Sequence, residues 1–246
     1  MKLARMPDNS PEIFHTIQGE GRSIGLPTVF IRASLCNLHC RWCDTPYTWN
    51  WEGTEFEHDL GKKFNRADEI IDHTTDEIVE IVQAYSCSNY VFTGGEPLIQ
   101  EKAWVELMRA LRKENPEAHF EIETNGTLTP GDTFLTLVNQ FNVSPKLSNS
   151  GIDSEKRIVP EALTFLAATG KADFKFVVGD ADDLAELLKI KKEADISSNH
   201  IFLMPRAASV TELEANQAWV SALAIERGFR YSDRLHLRLF GAKRGV

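Results

Sequence analysis

From Thr28 onward, short runs of β-branched and aromatic residues alternate with longer stretches whose apolar positions recur every three or four residues. Thr28-Val29-Phe30-Ile31-Arg32-Ala33 has the composition of a buried strand. Thr74-Thr75-Asp76-Glu77 has capping-box spacing, and Ile78, Ile81, Val82 and Tyr85 then fall on one helical face. A strand at Tyr90-Val91-Phe92 precedes an amphipathic helix carrying Trp104, Leu107, Met108 and Leu111. Phe120-Glu121-Ile122-Glu123 reads as the next strand, followed by a weaker helix around Phe134 to Val138 and a strand at Asn142-Val143-Ser144. Pro160 suits the first turn of a helix bearing Leu163 and Leu166, which Gly170 closes. Phe174, Phe176 and Val178 predict a strand, Asp182 to Ala194 a helix, Ile201 to Met204 a strand, and Thr211 to Gly228 a long helix. Leu235 to Leu239 predicts a last strand.

Strands alternating with helices argue for a parallel sheet, either doubly wound or curled into a barrel. The six units counted from Thr28 fall short of the eight that close a barrel. The expectation is therefore an α/β fold, a partial (open) parallel β/α barrel of about six units. With no linker or low-complexity tract, residues 1–246 are expected to form a single domain. The pattern dissolves from Pro46 to His73, where Trp49, Trp51 and Phe56 are interleaved with charges and Gly53. That stretch is too long for a routine connection. It reads as an insertion or lid at 46–73, after the cysteine loop, or as an exposed aromatic surface for a partner.

The 27 basic and 36 acidic residues give a net charge of −9, which disfavours the basic footprint that nucleic acid requires. Lys243-Arg244 reads as a solvated tail. No apolar run approaches the roughly 20 residues that span a bilayer, so no membrane partner is expected. Met1 to Arg5 leads to Pro7-Asp8-Asn9 rather than to an apolar signal segment. The expected location is cytoplasmic, where clustered thiols stay reduced.

Such thiols are present. Three of the four cysteines fall between Cys36 and Cys43, spaced Cys-x3-Cys-x2-Cys. They supply three ligands, one short of a tetrahedral zinc or a fully ligated cubane. His39 or Cys87 could complete a zinc site; a [4Fe-4S] cluster with one iron open to a small molecule fits the spacing better. Thr93-Gly94-Gly95-Glu96, Glu123-Thr124-Asn125 and Ser144-Pro145-Lys146 also lie just past predicted strands, at the end where such folds gather ligands. The glycines around Glu20 allow either a surface turn or a close approach to a ligand. Arg32 on an apolar strand calls for a cleft or a carboxylate partner. His236 reads as a core histidine or, near a strand end, as a site residue.

Cys-x3-Cys-x2-Cys with Trp42 before the third cysteine, followed one strand-and-helix unit later by Gly94-Gly95-Glu96, resembles the radical S-adenosylmethionine enzymes. That resemblance implies a cluster whose open iron is chelated by S-adenosylmethionine, with reductive cleavage of the sulfonium to a 5′-deoxyadenosyl radical. Adding Gln18-Gly19-Glu20-Gly21, Arg32, Cys43-Asp44-Thr45, Thr93 to Pro97, Ser144-Pro145-Lys146 and His236, the chain is similar to the 7-carboxy-7-deazaguanine synthase family. The landmarks run in the family's order across nearly the whole chain. The resemblance implies a carbon–nitrogen lyase that converts 6-carboxy-5,6,7,8-tetrahydropterin to 7-carboxy-7-deazaguanine with loss of ammonia, in queuosine and deazapurine biosynthesis. By the same resemblance Cys36, Cys40 and Cys43 hold the cluster. Trp42, Cys43, Asp44, Gly95, Glu96, Ser144, Pro145 and Lys146 line S-adenosylmethionine, and Thr45 ligates Mg2+. Ile17, Gln18, Gly19, Glu20, Arg32, Thr93 and His236 contact the pterin. A homodimer and an external electron donor, such as a flavodoxin-like protein, are also implied. Two other readings stay open: another small radical S-adenosylmethionine enzyme such as a glycyl-radical activase, or a zinc-stabilised interaction module.

Overall fold

The computed structural model describes residues 1–246. Ten strands make one sheet: β1 (Lys2–Ala4), β2 (Ile13–Ile17), β3 (Pro27–Ala33), β4 (Ile70–Asp72), β5 (Asn89–Gly94), β6 (His119–Thr124), β7 (Gln140–Val143), β8 (Ala172–Val178), β9 (Ile201–Pro205) and β10 (Arg230–Tyr231). The helices are α1 (Arg66–Glu69), α2 (Thr75–Gln83), α3 (Glu101–Glu114), α4 (Asp132–Leu137), α5 (Ser154–Arg157), α6 (Pro160–Ala168), α7 (Asp183–Glu193), α8 (Val210–Arg227) and α9 (Leu235–Phe240). The order β10-β9-β8-β7-β6-β5-β3-β1-β4 leaves β10 and β4 as unpaired edges, so the barrel is open. β3 and β5 to β10 run parallel, whereas β1, β2 and β4 add an antiparallel margin. Thr74 caps α2 through the expected capping box.

Successive residues of a strand point to opposite faces, and here the two faces differ in kind. The outer face carries Ile31, Phe92, Ile122, Phe141, Phe176 and Leu203, all fully buried. It packs against the apolar stripes of the helices; Phe92 stacks on Trp104 of α3 at 4.6 Å between centroids. Burying each such aromatic contributes about 1.5–3 kcal/mol, so this layer holds the sheet to its helices. The inner face is polar. Registers Arg32↔Thr93, Glu121↔Gln140, Glu123↔Asn142 and Asn142↔Asp173 align its side chains across neighbouring strands.

The connection from β2 to β3 fills the concave side. Gln18 N–H donates to Leu26 O and Gly25 N–H to Gln18 O, both at 2.8 Å, which closes a long hairpin loop. Inside it, Arg22 pairs with Asp173 at 2.7 Å, Ser23 Oγ donates to Glu121, and Lys175 pairs with Glu20. Each buried carboxylate of the inner face thus meets a partner from this one loop, as buried charge requires.

Three sequence expectations change. Leu235 to Leu239 is not a strand but α9; Leu237 is buried while Leu239 is half exposed, and the last strand is instead β10. The aromatics of 46–73 do not form an exposed patch: Trp49 is 2% exposed and only Phe56 of the three is exposed. The segment lies on the cysteine loop, with Leu35 N–H donating to Thr48 O at 3.0 Å and Asp59 N–H to Arg41 O at 2.7 Å. Arg244 is not a solvated tail either. It stacks on Tyr47 with 3.6 Å from guanidinium to ring, and pairs with Glu12 at 2.7 Å and Glu69 at 3.0 Å. No helix is long and apolar enough to cross a membrane.

Candidate active site

The cysteine loop leaves the end of β3 and is pressed against the end of β5. A Cβ on Gly95 would fall 2.0 Å from Leu35 O and 2.9 Å from Cys36 N, so only glycine allows this approach. Gly95 N–H donates to Ala33 O and Glu96 N–H to Leu35 O, at 3.1 and 2.8 Å, stitching the turn to the loop. Glu96 is fully buried. Its carboxylate accepts from Leu98 N–H, Thr124 Oγ1 and Asn125 N–H at 2.7–3.0 Å, tying the ends of β5 and β6 together. The acid expected to face an ammonium is thereby engaged within the fold, and the turn presents its backbone.

Burial raises all three loop thiols: Cys40 is pushed up to about 12, and Cys36 and Cys43 are also raised. Repulsion from the neighbouring cysteines adds to the rise at Cys36 and Cys40, and the three sulfurs are not gathered into a preformed ligand set. Leu38 N–H already donates to Cys36 Sγ at 3.5 Å. Ligation would remove the thiol protons and resolve the repulsion. Three sulfurs on one short loop, Cys40 buried and Cys36 and Cys43 half-buried, with a backbone donor at Cys36, fit a cluster held on one face. The residues that could have completed a zinc site lie apart from this arrangement. The His39 ring stacks on Phe56 at 3.5 Å, and Cys87 donates to Pro27 O at the opposite end of β3.

Trp42 and Ser144-Pro145-Lys146 stand beside the loop. Trp42 Nε1 donates to Asn149 O at 2.8 Å, while Lys146 Nζ lies 5.6 Å above the Trp42 ring and donates to Ser144 Oγ at 2.9 Å. Pro145 is buried, and Ser144 N–H continues the end of β7 by donating to Thr124 O at 2.8 Å. Thr45 is nearly buried, its Oγ1 3.6 Å from Cys43 Sγ, at the N-terminus of the 3-10 turn Pro46–Thr48.

The residues expected to meet a second ligand lie on the same rim. Arg32 is held through Nε by Glu12 Oε1 at 2.6 Å. Thr93 Oγ1 donates to Glu123 at 2.6 Å, and Gln18 Nε2 reaches the same carboxylate at 3.4 Å. Ile17 ends β2. Gly19 admits His236, whose Nδ1 would be 2.4 Å from a Cβ there, and Gly19 O accepts from Leu235 N–H at 2.9 Å. Burial alone would raise the Glu20 carboxyl. Lys175, Arg234 and His236 outweigh it and hold Glu20 well below the ordinary carboxylate range. Burial lowers His236, opposed by the charge of Glu20. Arg234 spans both halves of the rim: it pairs with Glu20 at 3.2 Å and with Asp44, while Nη1 donates to Ala207 O.

Lys175 and Arg234 were not singled out from the sequence, and Glu123 entered only as part of Glu123-Thr124-Asn125, with no role of its own. Two carried a signal: a charge between aromatic or aliphatic neighbours, as in Ile122-Glu123 and Phe174-Lys175-Phe176, marks an inner-face position of a sheet with one polar side. Arg234 carried none.

Comparisons with known proteins agree with this geometry. Residues 31–206 match the model of the radical SAM superfamily. The chain is 35% identical to the 7-carboxy-7-deazaguanine synthase of Rhodopirellula baltica, covering 96% of this chain and 87% of that one. It is 36% identical to the 7-carboxy-7-deazaguanine synthase of Pyrobaculum aerophilum, covering 95% of each. Among solved structures, the crystal structure of QueE from Escherichia coli superposes with a TM-score of 0.64 at 25% identity, covering 96% of this chain and 95% of that one.

Proposed function

The chain belongs to the 7-carboxy-7-deazaguanine synthase family of the radical S-adenosylmethionine superfamily, and from that membership we propose that this rim converts 6-carboxy-5,6,7,8-tetrahydropterin to 7-carboxy-7-deazaguanine with loss of ammonia. Membership itself makes it a radical S-adenosylmethionine lyase of the queuosine pathway, with a [4Fe-4S] cluster and S-adenosylmethionine as cofactors. One observation carries the assignment of the rim. Arg234 pairs with Asp44, next to the last loop cysteine, and with Glu20 of the hairpin loop, so the cofactor and substrate halves form one charged network.

In this reading Cys36, Cys40 and Cys43 hold the cluster. Trp42, Asp44, the Gly94-Gly95 backbone, Ser144, Pro145 and Lys146 border S-adenosylmethionine, and Glu96 fixes the turn. When bound, cluster and S-adenosylmethionine supply a radical that abstracts hydrogen from the pterin. The chain positions that pterin. Arg32 keeps its two terminal guanidinium nitrogens free of intramolecular bonds, the fork that suits a carboxylate. Thr93, Gln18 and Glu123 present polar atoms to the pterin ring, with the Ile17 and Gly19 backbone beside them. Glu20 stays ionised between Lys175 and Arg234 and accepts from ring N–H groups; His236, held neutral by burial, closes this side. Thr45 offers Mg2+ a hydroxyl oxygen, with substrate oxygens and water completing its shell. We further place the enzyme in the cytoplasm as a homodimer reduced by a flavodoxin-like donor, and assign the segment 46–73 as the cover of the cysteine loop within a single domain.

Anaerobic turnover with reductant, S-adenosylmethionine and the carboxylated pterin tests the proposal. The expected product is 7-carboxy-7-deazaguanine with ammonia. Formation of 5′-deoxyadenosine without a deazaguanine would overturn the substrate assignment and leave another radical S-adenosylmethionine reaction, such as glycyl-radical activation.

A further inference from the structure

Beyond β7 the chain from Ser144 to Gly151 forms one 3-10 turn, Ser148–Ser150, and no longer element, so its backbone groups must find partners elsewhere. α5 and α7 supply them. Arg157 of α5 is 5% exposed; its Nε donates to Ile152 O at 2.8 Å and its Nη1 to Lys146 O at 2.9 Å. The same Nη1 pairs with Glu186 Oε1 of α7 at 2.5 Å, and Glu186 Oε2 accepts from Ser148 N–H at 2.7 Å. Asp183, one turn earlier on that helix and also buried, accepts from Asn149 Nδ2 at 2.8 Å. The segment also meets the cysteine loop: Asn149 O takes the Trp42 indole N–H, and Ser150 O takes Arg41 N–H at 3.0 Å. A largely buried ion pair contributes little net stability over apolar side chains of the same volume, so stability alone gives no reason for this one. What it provides that apolar side chains cannot is a fixed donor to Lys146 O and a fixed acceptor for Ser148 N–H.

We propose that Arg157 and Glu186 are positioning residues for S-adenosylmethionine, holding the backbone of Lys146 to Ser148 where Ser144-Pro145-Lys146 and, through Asn149, Trp42 border that cofactor. The inference rests on the assignment of this segment to S-adenosylmethionine above. Neither side chain belongs to the set that borders the cofactor; each acts through a backbone group of the segment. Lys146 carries its ammonium over the Trp42 ring, so a shift of its backbone separates the two. A segment already fixed in its binding arrangement loses less conformational freedom when the ligand arrives, and that difference appears as affinity.

The test is S-adenosylmethionine binding to the anaerobically reconstituted full chain by equilibrium dialysis, with binding of the carboxylated pterin and the melting temperature measured beside it. Arg157→Met alone strands the Glu186 charge and should lower the melting temperature. The double variant Arg157→Met, Glu186→Met removes both charges and should recover most of that loss. It should still bind S-adenosylmethionine about tenfold more weakly, the loss expected of hydrogen bonds to charged groups, while pterin binding stays within about twofold. Unchanged S-adenosylmethionine affinity in the double variant would overturn the inference. Equal losses for both ligands would mark a general loosening of the rim and overturn it too. Arg157→Lys keeps the charge but cannot serve Ile152 O, Lys146 O and Glu186 together, so it carries the test should the double variant not fold. It should weaken S-adenosylmethionine binding several-fold; affinity equal to that of the unaltered protein would overturn the inference. If the unaltered protein binds no S-adenosylmethionine at full cluster content, the cofactor reading fails first and this inference with it, an outcome distinct from variants that bind as the unaltered protein does.

Discussion

Glu12 accepts from Arg32 Nε at 2.6 Å through one carboxylate oxygen and from Arg244 Nε at 2.7 Å through the other. One buried acid thereby fixes the orientation of a guanidinium on the proposed substrate rim and anchors Arg244, two residues before the last position of the sequence. Tyr47 Oη donates to the same carboxylate at 3.0 Å and lies under Arg244.

This arrangement makes Arg32→Ala a clean experiment. Glu12 keeps Arg244 as a countercharge, so the substitution leaves no unpaired buried acid. Losing a charged bidentate contact of about 2 kcal/mol should weaken the carboxylated pterin roughly 30-fold, while S-adenosylmethionine binding stays within about twofold. Equal losses for the two ligands, measured by calorimetry on anaerobic protein, would remove Arg32 from the carboxylate role.

Gly95→Ala forces a Cβ into Leu35 O and Cys36 N. Both are backbone atoms that cannot rotate away, so the cysteine loop must shift; such overpacking costs about 1–3 kcal/mol. Iron and sulfide per chain after reconstitution should fall well below the unaltered protein. Full cluster content in this variant would show that the turn does not govern the loop.

Thr45→Val keeps the volume and removes the hydroxyl. Stimulation of turnover by Mg2+ should be blunted, with a higher half-saturating concentration, and Thr45→Ser should restore it. The same metal dependence in all three proteins would exclude Thr45 as a ligand.

Acid should weaken the fold through His236. Burial lowers its folded pKa below the ordinary 6.5, so below pH 6.5 the unfolded chain takes up a proton that the folded chain resists. Stability from this residue is present above pH 6.5 and is lost as pH falls toward the folded pKa. Glu20 acts in the same direction but lower, since its depressed carboxyl contributes above about 4.5 and loses that contribution as pH falls further. Between pH 7.5 and 5.5, the melting temperature of the unaltered protein should therefore drop more than that of His236→Gln. His39, also lowered by burial, leaves a residual slope in both. Parallel curves would mean that His236 titrates as it does in water.

The strands and helices from Thr74 to Arg227 were legible because their apolar residues face one layer of helices, and a one-sided core imprints a period on the sequence. The antiparallel strands β1, β2 and β4 were not, since three to five residues on a sheet margin bury too little to show alternation. Leu235, Leu237 and Leu239 imitate a strand's period of two, yet only Leu237 is buried; contacts with Gly19 and Gly21's neighbour Ser232 place that segment, not its own pattern. The cysteine loop and its glycine turn were legible from spacing because they are local. Arg234, Lys175 and Glu123 meet Glu20, Asp44, Thr93 and Gln18 across sequence separations that no local motif records.

The hairpin loop between β2 and β3 gives these distant residues a common address. Its side chains reach Glu121 and Glu123 on β6 and Asp173 and Lys175 on β8, while the glycine turn and Ser144-Pro145-Lys146 stand outside it. In the proposed assignment, chemistry and choice of molecule are written in separable parts of the chain. Grafting a different loop of similar length between Ile17 and Pro27, with matching changes on those two strands, offers a route to a new reactant on an unaltered radical generator.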